Sequence, residues 1–92
     1  MQFEIDPDKS AVNKDKHGID FVEAQALWLK GLGLHIPARN VAERRFAYIA
    51  ALDGKLWTAI YTLRGDVVRL ISVRRARKME TQRYEDYYSR RT

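Results

Sequence analysis

The chain has 92 residues, 46% of them hydrophobic and 32% charged, a balance that suits one folded core (residues 1–92 as a single domain) and not a disordered chain. With no cysteine and only His17 and His35 as imidazole donors, it has no disulfide framework or Cys-based zinc site, and neither metal nor cofactor is expected. It opens Met1-Gln2-Phe3-Glu4, with no basic region and no apolar run approaching about 18 residues, so a cytoplasmic protein without membrane association is expected.

In chain order, Phe3 and Ile5 alternate with polar neighbours as a short strand. Asp6-Pro7 then reads as a helix start, with Asp6 capping and Pro7 at the first helical position, and the helix runs to about His17, where Gly18 closes it. Asp20 and Glu23 form a capping-box pattern for a second helix. Its apolar face holds Phe21, Ala24, Leu27 and Trp28, and it ends near Leu29. Leu32, Leu34 and Ile36 alternate as a strand that Pro37 is expected to stop, with a loop from Pro37 to Ala42.

Arg45 to Leu52 and Leu56 to Leu63 are strand-like runs joined by Asp53-Gly54, a strong hairpin signal, and Gly65-Asp66 supplies a second tight turn before Val67 to Val73. Arg77 to about Arg90 lacks Gly and Pro and reads as a terminal helix. The expected class is α+β: an antiparallel sheet of about four or five strands with two N-terminal helices and one C-terminal helix.

The net charge of +5 is unevenly spread. Residues 1–63 carry 8 Lys+Arg against 8 Asp+Glu, whereas residues 64–92 carry 9 against 4, so the whole excess lies in the last third. A clustered positive field attracts a polyanion by counterion release and points to nucleic acid; the bland alternative is a solvated helix face. With Gly65-Asp66 at the centre of its turn, the hairpin register sets Arg64 opposite Val67, Thr62 opposite Arg69 and Ile60 opposite Ile71. Arg64, Thr62 and Arg69 then share one face. Trp57, Tyr61, Leu63, Val68, Leu70 and Ser72 take the other, with Arg74 at its far end, and that apolar face is the expected packing surface for the helices.

Several spaced residues form a pattern. Asp6-Pro7-x-Lys9, Asn13, Lys16-His17-Gly18, Phe21 and Ala24 are followed by Glu43-Arg44 or Glu43-x-Arg45, Thr62-x-Arg64, and Arg69-Leu70-Ile71-Ser72-x-Arg74-x-Ala76 with Glu80 and Tyr84. In order and spacing, over roughly Phe3 to Tyr84, this resembles the BrnT family of toxins. The resemblance implies a RelE-like fold, cleavage of cytoplasmic RNA that inhibits translation, and a type II toxin-antitoxin pairing. The toxin alone would be a monomer; a BrnA-like antitoxin of the ribbon-helix-helix type would neutralise it in a hetero-oligomer.

Cutting RNA without a metal needs a group to take the 2′-hydroxyl proton, cations on the phosphorane and a proton donor for the leaving 5′-oxygen. Catalytic candidates are His17, Lys16, Arg64, Arg74, Arg75 and Glu80. His17, at a helix C-terminus, serves as acid or electrostatic partner, or else complements the helix dipole together with Lys16. The arginines bind phosphate in two-pronged fashion or form salt bridges. Glu80 orients an arginine, acts as general base, or makes a structural ion pair. Arg69, Arg77, Lys78 and Tyr84 are candidates for RNA binding, Tyr84 alternatively being a core or capping residue. Trp57 and Tyr61 read as core, with base stacking as the alternative, and His35 has no assigned role. Two other functions fit the same residues: a non-catalytic nucleic-acid-binding module, and an inactive homologue that binds only its antitoxin.

Overall fold

The computed structural model describes residues 1–38 and 43–90. The chain forms β1 (Gln2–Glu4), α1 (Pro7–His17), α2 (Phe21–Ala24) continued by a 3₁₀ turn over Gln25–Trp28, β2 (Leu34–Ala38), β3 (Arg45–Leu52), β4 (Lys55–Arg64), β5 (Val67–Arg75) and α3 (Lys78–Ser89). Both N-terminal helices begin where their caps dictate. Asp6 Oδ1 accepts from the N–H of Asp8 at 2.9 Å and of Lys9 at 3.3 Å, and the Asp20–Glu23 box is reciprocal, at 2.7 and 2.9 Å. Gly18, at φ 79°, closes α1 in the left-handed conformation. Among the described residues no helix is long and apolar enough to cross a membrane.

The class is α+β with a five-stranded sheet, ordered β1-β5-β4-β3-β2. Two expectations change. The sheet is mixed, because β1 pairs in parallel with β5. Short connections force β2 to β5 to alternate in direction, whereas most of the chain separates β1 from β5 and imposes no reversal. Pro37 does not stop β2, which runs through it and pairs Pro37 with Phe46. As an edge strand, β2 can carry a residue without an N–H on its outer side. The rest of the expected loop, residues 39–42, lies outside the described residues.

One face of the sheet packs against α2 and the 3₁₀ turn. Tyr48, Ala50, Trp57, Ala59, Tyr61, Val68, Leu70 and Val73 form a core with Ile19, Phe21, Ala24 and Leu27. Trp28 stacks on Tyr48 at 4.5 Å and meets Phe3 and Tyr61 edge-on. On the opposite face α3 packs against β3 and bonds Thr58 of β4 through Glu80.

The third correction bears on function. The hairpin register holds from Arg64–Val67 to Tyr61–Leu70, but Ile60 then faces Ser72, leaving Ile71 as the extra residue of a β-bulge. A two-residue alternation without the bulge would turn Ser72 and Arg74 into the core and expose Val73. The bulge reverses this. Val73 is fully buried with Leu70, while Ser72 and Arg74 join Arg69 on the face opposite the main core, paired with Ile60 and Thr58.

Candidate functional site

α1 lies along β5 beyond the short stretch covered by β1, held there by two buried polar side chains. Asn13 donates to the carbonyls of Ile19 at 2.7 Å and Val73 at 2.8 Å, and accepts from the Val73 N–H at 3.1 Å. Its amide thus stands in for a strand partner just beyond the bulge. Ser10 Oγ accepts from the Phe21 N–H at 2.9 Å, tying α1 to the start of α2. With every polar atom of Asn13 engaged in a buried setting, this attachment is rigid.

Between α1 and the bulge runs an open groove of about 380 Å³, lined by Asp8, Lys9, Val12, Asn13, Lys16 and His17 on one side and by Ile71 and Ser72 on the other. Lys9, Val12 and Lys16 recur at helical spacing and present one stripe. The expected His17 and Lys16 thus lie together in the groove, and Ser72, which lines it, belongs to the sheet face that also carries Arg69 and Arg74.

Arg74 is engaged. Its guanidinium forks onto Glu80, at 2.7 Å to Oε1 and 2.8 Å to Oε2, with both side chains 17% exposed. Glu80 Oε1 also accepts from Thr58 Oγ1 at 3.0 Å and from the Arg77 N–H at 2.8 Å. The bond from Arg74, reinforced by these two donors, lowers the Glu80 carboxyl to about 2 against the penalty of burial. A carboxyl held so acidic is a weak base at neutral pH, so its geometry suits orienting Arg74 better than proton abstraction. The same pair raises the already high pKa of Arg74, chiefly through the hydrogen bonds that it donates to Glu80.

Other expected residues lie elsewhere. Arg64 makes a loose, exposed ion pair with Glu4 at 3.5 Å and lines a different hollow with Arg44, Phe46 and Thr62. Arg75 is on the core side of the sheet, its guanidinium 5.6 Å from the Trp57 ring centroid. Arg77 and Lys78 are exposed at the start of α3. Tyr84 packs against Tyr88 at 4.7 Å and borders an apolar hollow with Leu27 and Ala50, away from the cationic groove.

Lys9, Asn13 and Ser72 belong to the sequence pattern, but the sequence assigned none of them a role. Beyond its place in the pattern, the available signal for Asn13 was a poor helix former placed mid-helix one turn after Ser10; for Ser72 the pattern was the whole signal, because its facing depends on the bulge. His35, given no role, stacks on Tyr48 at 4.2 Å and has Nδ1 2.6 Å from the Tyr61 hydroxyl. Burial lowers its pKa and raises those of both tyrosines.

The groove therefore gathers an imidazole and two ammonium groups beside a serine on an arginine-bearing sheet face. Such a site can hold a phosphodiester through its cations and move a proton through the imidazole. No curated protein matches the chain. The family model described as "Ribonuclease toxin, BrnT, of type II toxin-antitoxin system" matches residues 5–80, a span that includes α1, the bulge and the Arg74–Glu80 pair. The chain belongs to the BrnT family of ribonuclease toxins of type II toxin-antitoxin systems.

Proposed function

We propose that this chain is an endoribonuclease whose site is the groove between α1 and β5, and that it cuts RNA without a metal and so inhibits translation. The ribose 2′-oxygen attacks the adjoining phosphorus as its proton is withdrawn. The bond from phosphorus to the 5′-oxygen breaks, and that oxygen takes a proton. The products are a 2′,3′-cyclic phosphate and a 5′-hydroxyl.

In this reading His17 exchanges protons with the reacting oxygens. Lys9, Lys16 and Arg69 neutralise charge on the phosphorane, and Arg74, aligned by Glu80, extends that cationic surface. Arg64, Arg77 and Lys78 serve as outer phosphate contacts, whereas Arg75 and Tyr84 contribute to packing. The observation that carries the reading is the juxtaposition of Lys16 and His17 with Ser72 across the bulge, inside the span matched by a ribonuclease family.

As a member of a type II toxin-antitoxin family, the chain has an antitoxin as counterpart. We infer a BrnA-like protein of the ribbon-helix-helix type that forms a hetero-oligomer with the toxin in the cytoplasm. Incubating purified toxin with RNA and a chelator tests the activity: cyclic-phosphate ends support it, and RNA left intact at micromolar protein counts against it. Salt-dependent RNA affinity without turnover would instead identify a non-catalytic binder, and binding to the antitoxin alone an inactive homologue.

A further inference from the structure

A second hollow, of about 380 Å³, lies at the corner where β4 outruns β3. The ladder between the two strands reaches Phe46–Tyr61, but β4 continues through Thr62 and Leu63 to Arg64 before the turn at Gly65. Across the resulting notch the chain enters β3 from Glu43 and Arg44. Thr62, 6% exposed, donates through Oγ1 to the Arg44 carbonyl at 2.6 Å and so fixes the backbone from which that arginine projects.

The chemistry of the notch is mixed. Arg44 and Arg64 are exposed, Arg64 within 3.5 Å of the exposed Glu4 carboxylate, and Glu43, the acidic residue among the described residues that line the notch, is bonded to Arg45 at 3.2 Å. Beside them lie Leu63, 49% exposed, and the half-buried ring of Phe46, backed by Tyr61 at 5.4 Å. Two guanidinium groups next to an apolar wall fit one nucleotide unit: a phosphate between the arginines and a base or ribose against Leu63 and Phe46. The notch, between β4 and the chain entering β3, is separate from the α1–β5 groove, and the β4–β5 ladder connects the two. Arg64 lies four residues from Ile60, the partner of Ser72, about 13 Å along an extended strand.

We propose that this corner is a second RNA subsite, holding a nucleotide of the single strand that lies at a distance from the cleaved linkage; the proposal rests on the ribonuclease reading above. The Arg44–Arg64 pair sets affinity for long substrates, and Leu63 supplies a contact indifferent to salt.

The test measures binding of a single-stranded RNA oligomer, methylated at every 2′-oxygen so that it is not cut, and long enough to span groove and corner. Because Arg44 and Leu63 are exposed, Arg44→Ala and Leu63→Ser are expected to fold. Arg44→Ala should weaken binding by about three- to tenfold and make the salt dependence shallower by about 0.7 in logarithmic slope, while Leu63→Ser weakens binding with the slope unchanged. Unaltered affinity in both variants, with binding still weakened by Lys16→Ala, would overturn the subsite and leave the ribonuclease reading standing. Loss of antitoxin affinity without loss of RNA affinity would overturn it too, marking the corner as a protein contact. No binding by the unaltered toxin would remove the ribonuclease reading and the subsite together.

Discussion

The side chain of Asn13 grips both backbone groups of Val73, donating to its carbonyl at 2.8 Å and accepting from its N–H at 3.1 Å. This bond joins the middle of α1 to the strand just beyond the bulge, and so sets the distance between His17 and Ser72. Replacing Asn13 by Ala leaves three buried backbone groups without their partner. The expected cost is about 3 kcal/mol, read as a lower denaturation midpoint. Asn13→Asp should be no milder, because it turns a donor into an acceptor facing the carbonyls of Ile19 and Val73. A midpoint unchanged in both variants would show that the amide does not hold α1 in place.

The Arg74–Glu80 pair gives a pH signature. Glu80 has a pKa of about 2 in the folded protein, below the ordinary value of 4.5, so its contribution to stability is complete above about pH 4.5 and is lost as pH falls toward 2. The shift corresponds to roughly 3 kcal/mol at neutral pH. Glu80→Gln keeps the shape, removes the charge and strands a largely enclosed guanidinium. It should lower stability by about 2 to 3 kcal/mol at pH 7 and flatten the decline below pH 5. Urea midpoints for both proteins from pH 7 to pH 2 check this; parallel curves would contradict it.

Gly33 is required for lack of space. A Cβ there would land within the ring of Tyr48, which is 1% exposed and stacked between Trp28 and His35. The Gly33 N–H also donates to the Tyr48 hydroxyl at 2.9 Å. Gly33→Ala is therefore expected to cost about 1 to 3 kcal/mol by overpacking, with a changed near-ultraviolet dichroism from the disturbed aromatic stack. An alanine variant of full stability and unchanged spectrum would be the opposing result.

The residues that announced themselves in the sequence did so through local rules. Asp6-Pro7, Gly18, Asp20 with Glu23, Asp53-Gly54 and Gly65 fix caps and turns within a few positions, and the helices and hairpins fall where they dictate. What escaped depends on distant partners. The parallel pairing of β1 with β5 involves opposite ends of the chain, and Pro37 is tolerated only because β2 is an edge. The bulge at Ile71 comes from competition between Val73 and its polar neighbours for the core, decided in part by Asn13 far away in sequence. Because the bulge resets the facing of every residue after it, Arg74 moved to the face of Arg69, and Ser72 became part of the groove. His17 and Lys16 were visible as chemistry; their company was not.

If the groove holding His17 cuts RNA, the rate depends on that imidazole. His17 is exposed at the end of α1, so His17→Gln is expected to keep the fold and the unfolding midpoint. The direct measurement is the cleavage rate of a defined RNA by the wild type and by His17→Gln, in chelator, with the ends of the products identified. The expectation is cyclic-phosphate ends from the wild type and a rate lower by about 10²–10⁴ in the variant, with RNA affinity largely retained. Cleavage at the wild-type rate by His17→Gln would contradict it.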